Sequence, residues 1–154
     1  MASKYYISKD QFDSLDEVIE KYINSCNQIM KGAVQHKKFM KGELDIIESY
    51  MMEDKKRDNK RIPYYIGCFE SAPQYIVLCY MLSRNEVVKE YIKIKPNGLF
   101  FHNEYFPGLK TLIPWFKENF RSNEYQRYAK KVKPPYSGTC KKKYEKAHFK
   151  INSN

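Results

Sequence analysis

Apolar positions along the chain follow two periods. In DSLDEVIEKYI at 13–23, Leu15, Val18, Ile19 and Tyr22 recur at i, i+3, i+4 and i+7, one face of an amphipathic helix. Asp13 or Ser14 can cap it, and Asp16 and Glu17 suit its positive N-terminal end. The pattern predicts a helix continuing through Ile29, Met30, Val34 and Phe39, with Gly32 and Gly42 as weak points. A second helix, GELDIIESYMMED, places Leu44, Ile47 and Met51 on one face. The period then changes. IPYYIGCF at 62–69 is rich in strand formers, and QYIVLCYML at 74–82 is a continuous apolar run that suits a buried central strand. VVKEYIKIK at 87–95 alternates, with Lys89, Tyr91, Lys93 and Lys95 on one side and Glu90, Ile92 and Ile94 on the other. SAP, SRNE and PNG mark the turns, LFFH is a fourth short strand, and 109–121 is a last helix with Leu109, Leu112, Ile113, Phe116 and Phe120 inward. Pro114 fits such a helix only near its first turn.

The pattern also repeats. YYISKDQFDSLDEVIEKYI at 5–23 aligns without a gap on the segment that starts LFFHNEYF at 99–106. Tyr5 meets Leu99, Tyr6 meets Phe100, Ile7 meets Phe101 and Phe12 meets Phe106. Leu15 meets Leu109, Val18 meets Leu112, Ile19 meets Ile113 and Tyr22 meets Phe116. One strand-then-helix unit therefore stands near each end of the chain.

Charge adds a partner class. The 154 residues carry a net charge of +10, with an isoelectric point near 9.3. Nine Lys or Arg against two Glu fall in 123–154. Such a balance favours an acidic partner: nucleic acid, a phosphopeptide or an anionic surface. No apolar run approaches the roughly 20 residues of a membrane span, and MASKYYIS lacks the apolar centre of a signal peptide. Cys26, Cys68, Cys79 and Cys140 form no C-x-x-C and are expected as reduced thiols. His36, His102 and His148 have no ligand spacing, so neither metal nor cofactor is expected. No Ser-His-Asp set, glycine-rich phosphate loop or paired-carboxylate motif stands out, and no enzymatic activity is expected.

QYIVLCYMLSRNEVVKEYIKIKPNGLFFHNEYFPGLKTLIPWF resembles the second half of a Src-homology-2 domain, the phosphotyrosine-binding module. YYISKDQFDSLDEVIEKYI is similar to that domain's final strand and helix. FDSLDEVIEKYI, RIPYYIGCFESAP, KEYIKIKPNGLFF and FPGLKTLIPWFKENF, in that order, resemble the C-terminal tandem of the suppressor-of-Ty (Spt-six) class of transcription elongation factors and histone chaperones. The resemblance covers roughly residues 5–122. It implies an α+β fold, a central antiparallel sheet flanked by two helices. It divides the chain into 1–23, the remnant of a first such domain; 24–57, a helical linker that includes the first helix of the second; 58–122, the second, degenerate domain; and 123–154, a basic tail expected to be disordered. It implies a nuclear protein that docks on the phosphorylated linker of the largest subunit of RNA polymerase II. A further expected partner is the upstream part of the same factor, since the first domain's phosphate-binding Arg strand would lie before Met1. No membrane partner is implied.

The resemblance also marks departures. The Arg that binds phosphate in such domains falls on Gly67, and a position often held by a phosphate-contacting His falls on Glu90. Other cations must then serve. Lys89, Lys93 and Lys95 share a strand face, Arg84 sits on the adjoining turn, and Lys117 and Arg121 lie near the end of the last helix. These six are the candidate phosphate- and peptide-binding residues. Their ordinary alternatives are a solvated sheet face and charges that suit a helix dipole. The aromatic residues Tyr64, Tyr65, Tyr91, Phe100, Phe101 and Trp115 are expected in the core rather than as a base-stacking surface. Two other functions remain open: non-specific nucleic-acid binding through the tail, and a purely structural packing unit.

Overall fold

Each turn signal closes one hairpin. The computed structural model describes residues 4–68, 72–132 and 135. Among them β4 (Tyr64–Gly67), β5 (Tyr75–Met81), β6 (Val87–Lys95), β7 (Gly98–Phe101) and β8 (Glu104–Phe106) form an antiparallel meander. A two-residue strand β3 (Phe39–Met40) adds in parallel to the outer edge of β4, giving six strands in chain order. Gly98 makes the β6–β7 turn possible. Its φ is +138°, and a Cβ there would lie 2.4 Å from the Phe106 carbonyl oxygen.

The sheet buries both faces. α3 (Leu44–Arg57) covers one, with Ile47 and Met51 against Val77, Cys79 and Met81. α4 (Leu109–Asn119) covers the other, with Leu112 and Phe116 in a larger cluster of Ile66, Ile76, Leu78, Tyr80, Ile92 and Leu99. The expected alternation of β6 therefore holds, and β5 is apolar on both sides because it is covered on both. This is an α+β Src-homology-2-like arrangement.

The N-terminal unit is a hairpin, β1 (Tyr5–Ile7) and β2 (Asp10–Phe12), followed by a continuous helix. The helix runs as α1 (Leu15–Glu17), a π-wound segment Val18–Ile23 and α2 (Asn24–Val34). Ser14 Oγ accepts the Glu17 N–H at 3.1 Å, and the Glu17 carboxylate accepts the N–H of Asp13, the residue before the cap, at 2.7 Å, a variant of the capping box. The alignment of the two units holds in three dimensions. Ser8 and His102, equivalent in it, both adopt positive φ, and Ser14 and Gly108 both cap helices. Burial separates them: Leu109 is 5% exposed and its counterpart Leu15 is 56% exposed.

Four expectations need correction. The helix ends at Val34 rather than running through Phe39, because Phe39 and Met40 pair with the open edge of β4. The linker 24–57 is thus two helices with a strand between them, and Gly42, at φ +142°, lies in that break. Pro114 lies in the second turn of α4, not the first, on its exposed side, where one missing N–H is tolerated. The basic tail begins with order. Asn123–Lys131 form α5, capped by Ser122 Oγ on the Tyr125 N–H at 3.1 Å. Residues 136–154 of the expected tail, including Cys140 and His148, lie outside the described residues.

Candidate functional site

Register decides what the expected phosphate pocket can contain. Gly67 stands opposite Val77, and Val77 opposite Tyr91, so these three point to the α3 face. Glu90 stands opposite Leu78, which stands opposite Ile66, on the α4 face. Gly67 and Glu90 therefore cannot line one pocket, and the two expected equivalences do not hold together. Glu90 is instead buried between the sheet and α5. It accepts from the Tyr125 hydroxyl, and its other oxygen lies 2.7 Å from His102 Nε2. Burial and the Glu90 charge push the Tyr125 hydroxyl far up from its ordinary pKa, so it stays protonated and donates.

The six candidate cations divide among several places. Lys89 projects on the α3 face but pairs with Glu48 of α3 at 2.5 Å. Lys93 and Lys95 line a cleft of about 700 Å³ between the sheet and the N-terminal hairpin, together with Lys9 and Lys21. In that cleft Lys95 donates to the Tyr105 hydroxyl at 3.0 Å, Lys21 pairs with Glu17, and Asp10 joins the wall. Arg84 lies apart, its Nε donating to Asn59 Oδ1 at 3.1 Å. Arg121 stacks over Phe120 at 5.4 Å.

Lys117 enters a cluster that the sequence pattern does not reveal. The parallel pairing of β3 with β4, tied by the Ile66 N–H on the Lys38 carbonyl at 3.0 Å, carries 36–38 to the start of β4. There Lys38 and Lys117 lie 6.0 and 5.4 Å from the centre of the Tyr64 ring. Burial is the larger cause, with the charges of Lys37 and Lys117, that holds the His36 pKa below its ordinary value. His36 Nδ1 accepts the Lys38 N–H at 3.2 Å, which fits a neutral ring. Lys38 shares Asp54 at 3.9 Å, but Asp54 is also committed to the Tyr65 hydroxyl at 2.6 Å. Lys37 and Lys117 have no carboxylate partner among the described residues. A groove of about 860 Å³ leads from His36 and Lys37 between α2 and the start of α4, over Ile29, Pro107 and Leu109.

Cations at an aromatic ring and along the mostly apolar groove beside it can receive a phosphate and the chain that carries it. Lys37, Lys38 and His36 are hidden in the sequence by their place at an expected helix end. The HKK run is the one local signal for them. Among the described residues no cluster of His, Cys, Asp or Glu could hold a metal ion.

The SH2 domain family model matches residues 1–119. The Drosophila melanogaster transcription elongation factor SPT6 is 28% identical over 122 residues, which span 75% of this chain and 7% of that protein. The Caenorhabditis elegans suppressor of Ty 6 homolog is 30% identical over 119 residues, 74% of this chain and 8% of that protein. The chain thus spans less than a tenth of the length of these relatives. Among solved structures, a tandem SH2 domain of the elongation factor Spt6, described as binding the phosphorylated RNA polymerase II C-terminal repeat domain, superposes with a TM-score of 0.70 at 19% identity. It covers 77% of this chain and 62% of that one. The tandem SH2 domains of Antonospora locustae Spt6 give a TM-score of 0.63 at 20% identity, over 74% of this chain and 61% of that one.

Proposed function

The chain belongs to the SH2 domain family, in the tandem form found in Spt6 transcription elongation factors, and from that premise we propose that it is a non-enzymatic phosphopeptide-binding module. Its target is the phosphorylated linker that joins the body of RNA polymerase II to its C-terminal repeats. In this reading the chain anchors a nuclear elongation factor, with histone-chaperone activity elsewhere in the whole protein, on transcribing polymerase. The observation that carries the proposal is the approach of Lys38 and Lys117 to Tyr64, at the end of a groove lined by Lys37, with Lys37 and Lys117 lacking a carboxylate partner among the described residues. A phosphate brings roughly −1.5 to −2 charge, and two or three converging cations suffice to make its binding depend on phosphorylation. The groove between α2 and α4 would hold the flanking peptide. The sheet-face lysines are secondary, because Lys89 and Lys95 already have partners.

The test is fluorescence polarisation of the full chain with linker peptides, phosphorylated and unphosphorylated. Preference for the phosphorylated form that Lys117→Ala removes supports the proposal. Equal binding to both forms sinks it. A version shortened after Val132 keeps α5 and separates tail-driven nucleic-acid binding, which falls steeply with salt, from binding by the domain.

A further inference from the structure

At the opposite end of α3 from its N-terminus, a second group of cations surrounds a hollow. Lys55 is only 8% exposed, an uncommon place for an ammonium. Its Nζ donates to the carbonyls of Asn59 at 2.9 Å and Arg61 at 2.8 Å. Those bonds stitch the connector 58–61 to the helix but bring no negative charge. An ammonium has three N–H groups, so one is left over. Beside it opens a pocket of about 420 Å³ lined by Met52, Lys55, Lys56, Asn59, Arg84 and Asn85. Arg84 is anchored there through its Nε on Asn59, and among the described residues its terminal guanidinium nitrogens have no hydrogen-bond partner. Every polar side chain in the wall carries N–H donors, and none is a carboxylate. Lys55, Lys56 and Arg84 have no carboxylate partner among the described residues.

The geometry points to a phosphate site in this pocket, separate from the Lys37–Lys117 cluster, that takes one phosphate group of a phosphorylated protein segment. Three cations with two amide side chains suit a dianion better than a single carboxylate. The surroundings argue against a nucleic-acid track, which needs a line of available cations and stacking aromatics. Arg57 and Arg61, on either side, are paired with Glu53 and Asp58, and no aromatic ring lines the pocket. The source of the phosphate rests on the phosphopeptide-binding function proposed above; the anion chemistry of the pocket does not.

The first test is titration of the ¹⁵N-labelled full chain with inorganic phosphate at constant ionic strength, observing the Arg84 Nε–H and the Asn59 and Asn85 side-chain amides by NMR. The expected result is saturable shifts that Lys56→Ala combined with Arg84→Ala abolishes and Lys117→Ala leaves intact. Both substituted residues are exposed, so the fold survives, and Lys55 is left in place because it holds the connector. Shifts that fail to saturate, that chloride reproduces, or that persist in the double variant overturn the site. The second test compares a short phosphoserine peptide with a single-stranded DNA oligonucleotide by fluorescence polarisation. The double variant is expected to weaken the peptide about five-fold or more and leave the oligonucleotide unchanged. Weakened oligonucleotide binding with unchanged peptide binding overturns the assignment to a protein segment. Loss of this peptide's binding on Lys117→Ala, with the pocket left intact, would place its phosphate at the Lys37–Lys117 cluster and likewise overturn the assignment to a protein segment.

Discussion

The hydroxyl of Tyr125 donates to the carboxylate of Glu90, joining the helix after residue 122 to the middle of the sheet. Both residues are buried, and His102 takes the second carboxylate oxygen while its ring stacks on Tyr125 at 4.0 Å. Tyr125→Phe removes the donor and leaves a buried carboxylate with one partner. A hydrogen bond to a charged group contributes about 1.5–3 kcal/mol, so the variant should lose stability in that range. Urea unfolding followed through Trp115, whose ring centre lies 5.8 Å from that of Tyr125, measures it. An unchanged midpoint would mean that α5 is not latched through Glu90.

That helix has a clear local signal. Tyr125, Tyr128, Ala129 and Val132 stand at i, i+3, i+4 and i+7 behind a capping Ser122, as plain a pattern as the one at 15–22. The lysines and prolines that follow mask it, because they give the whole segment the composition of a disordered tail. The meander, by contrast, is readable strand by strand, because its turns are marked by SRNE and PNG and its period by β6. The Lys37–Lys38–Lys117 cluster is not readable. It depends on a two-residue parallel strand and on contacts between segments far apart in the chain, which no local period encodes.

Phosphopeptide affinity should separate the lysines by their partners. Lys37→Ala and Lys117→Ala each remove an unpaired cation and should weaken a phosphorylated linker peptide about ten-fold, or about 1.4 kcal/mol. Lys89→Ala removes a cation already satisfied by Glu48 and should change affinity by less than about two-fold. Fluorescence polarisation on the three variants checks this. The reverse order would move the site to the sheet face.

His36 gives the cluster a pH signature. Its folded pKa lies below the ordinary 6.5, through burial and the charges of Lys37 and Lys117. As pH falls through 6.5, the unfolded chain takes up the proton first. The contribution of His36 to stability is therefore full above that pH and is lost as pH falls through the folded value. Unfolding midpoints at successive pH values should decline below 6.5, more weakly in His36→Gln. A bound phosphate favours the imidazolium and should shrink the slope. Identical slopes with and without the substitution would place the cause elsewhere.

Gly98 should resist substitution. Its positive φ disfavours any side chain, and the carbonyl that would stand 2.4 Å from an added Cβ is backbone, which cannot swing away. Gly98→Ala should lower the melting temperature by an amount matching about 2 kcal/mol or more. Calorimetry on the variant tests whether the β6–β7 turn tolerates the change.

The repeated unit allows one substitution to be compared in two environments. Leu15 and Leu109 each open a helix after a hairpin, with Phe12 and Phe106 buried three residues before them at 7% and 6% exposure. Local structure is shared; coverage is not. Leu109 lies under the sheet, whereas Leu15, Ile19 and Ile23 face solvent on the helix of the first unit. Leu109→Ala opens a cavity and should cost about 2–5 kcal/mol. Leu15→Ala removes exposed surface and should stay within about 0.5 kcal/mol. Paired urea titrations decide between two accounts of the fold. If the costs differ as stated, stability comes from burial against the six-stranded sheet and the first unit adds little. If Leu15→Ala costs as much as Leu109→Ala, its side chain is covered in solution, and sedimentation of the wild-type chain would show whether a second copy does the covering.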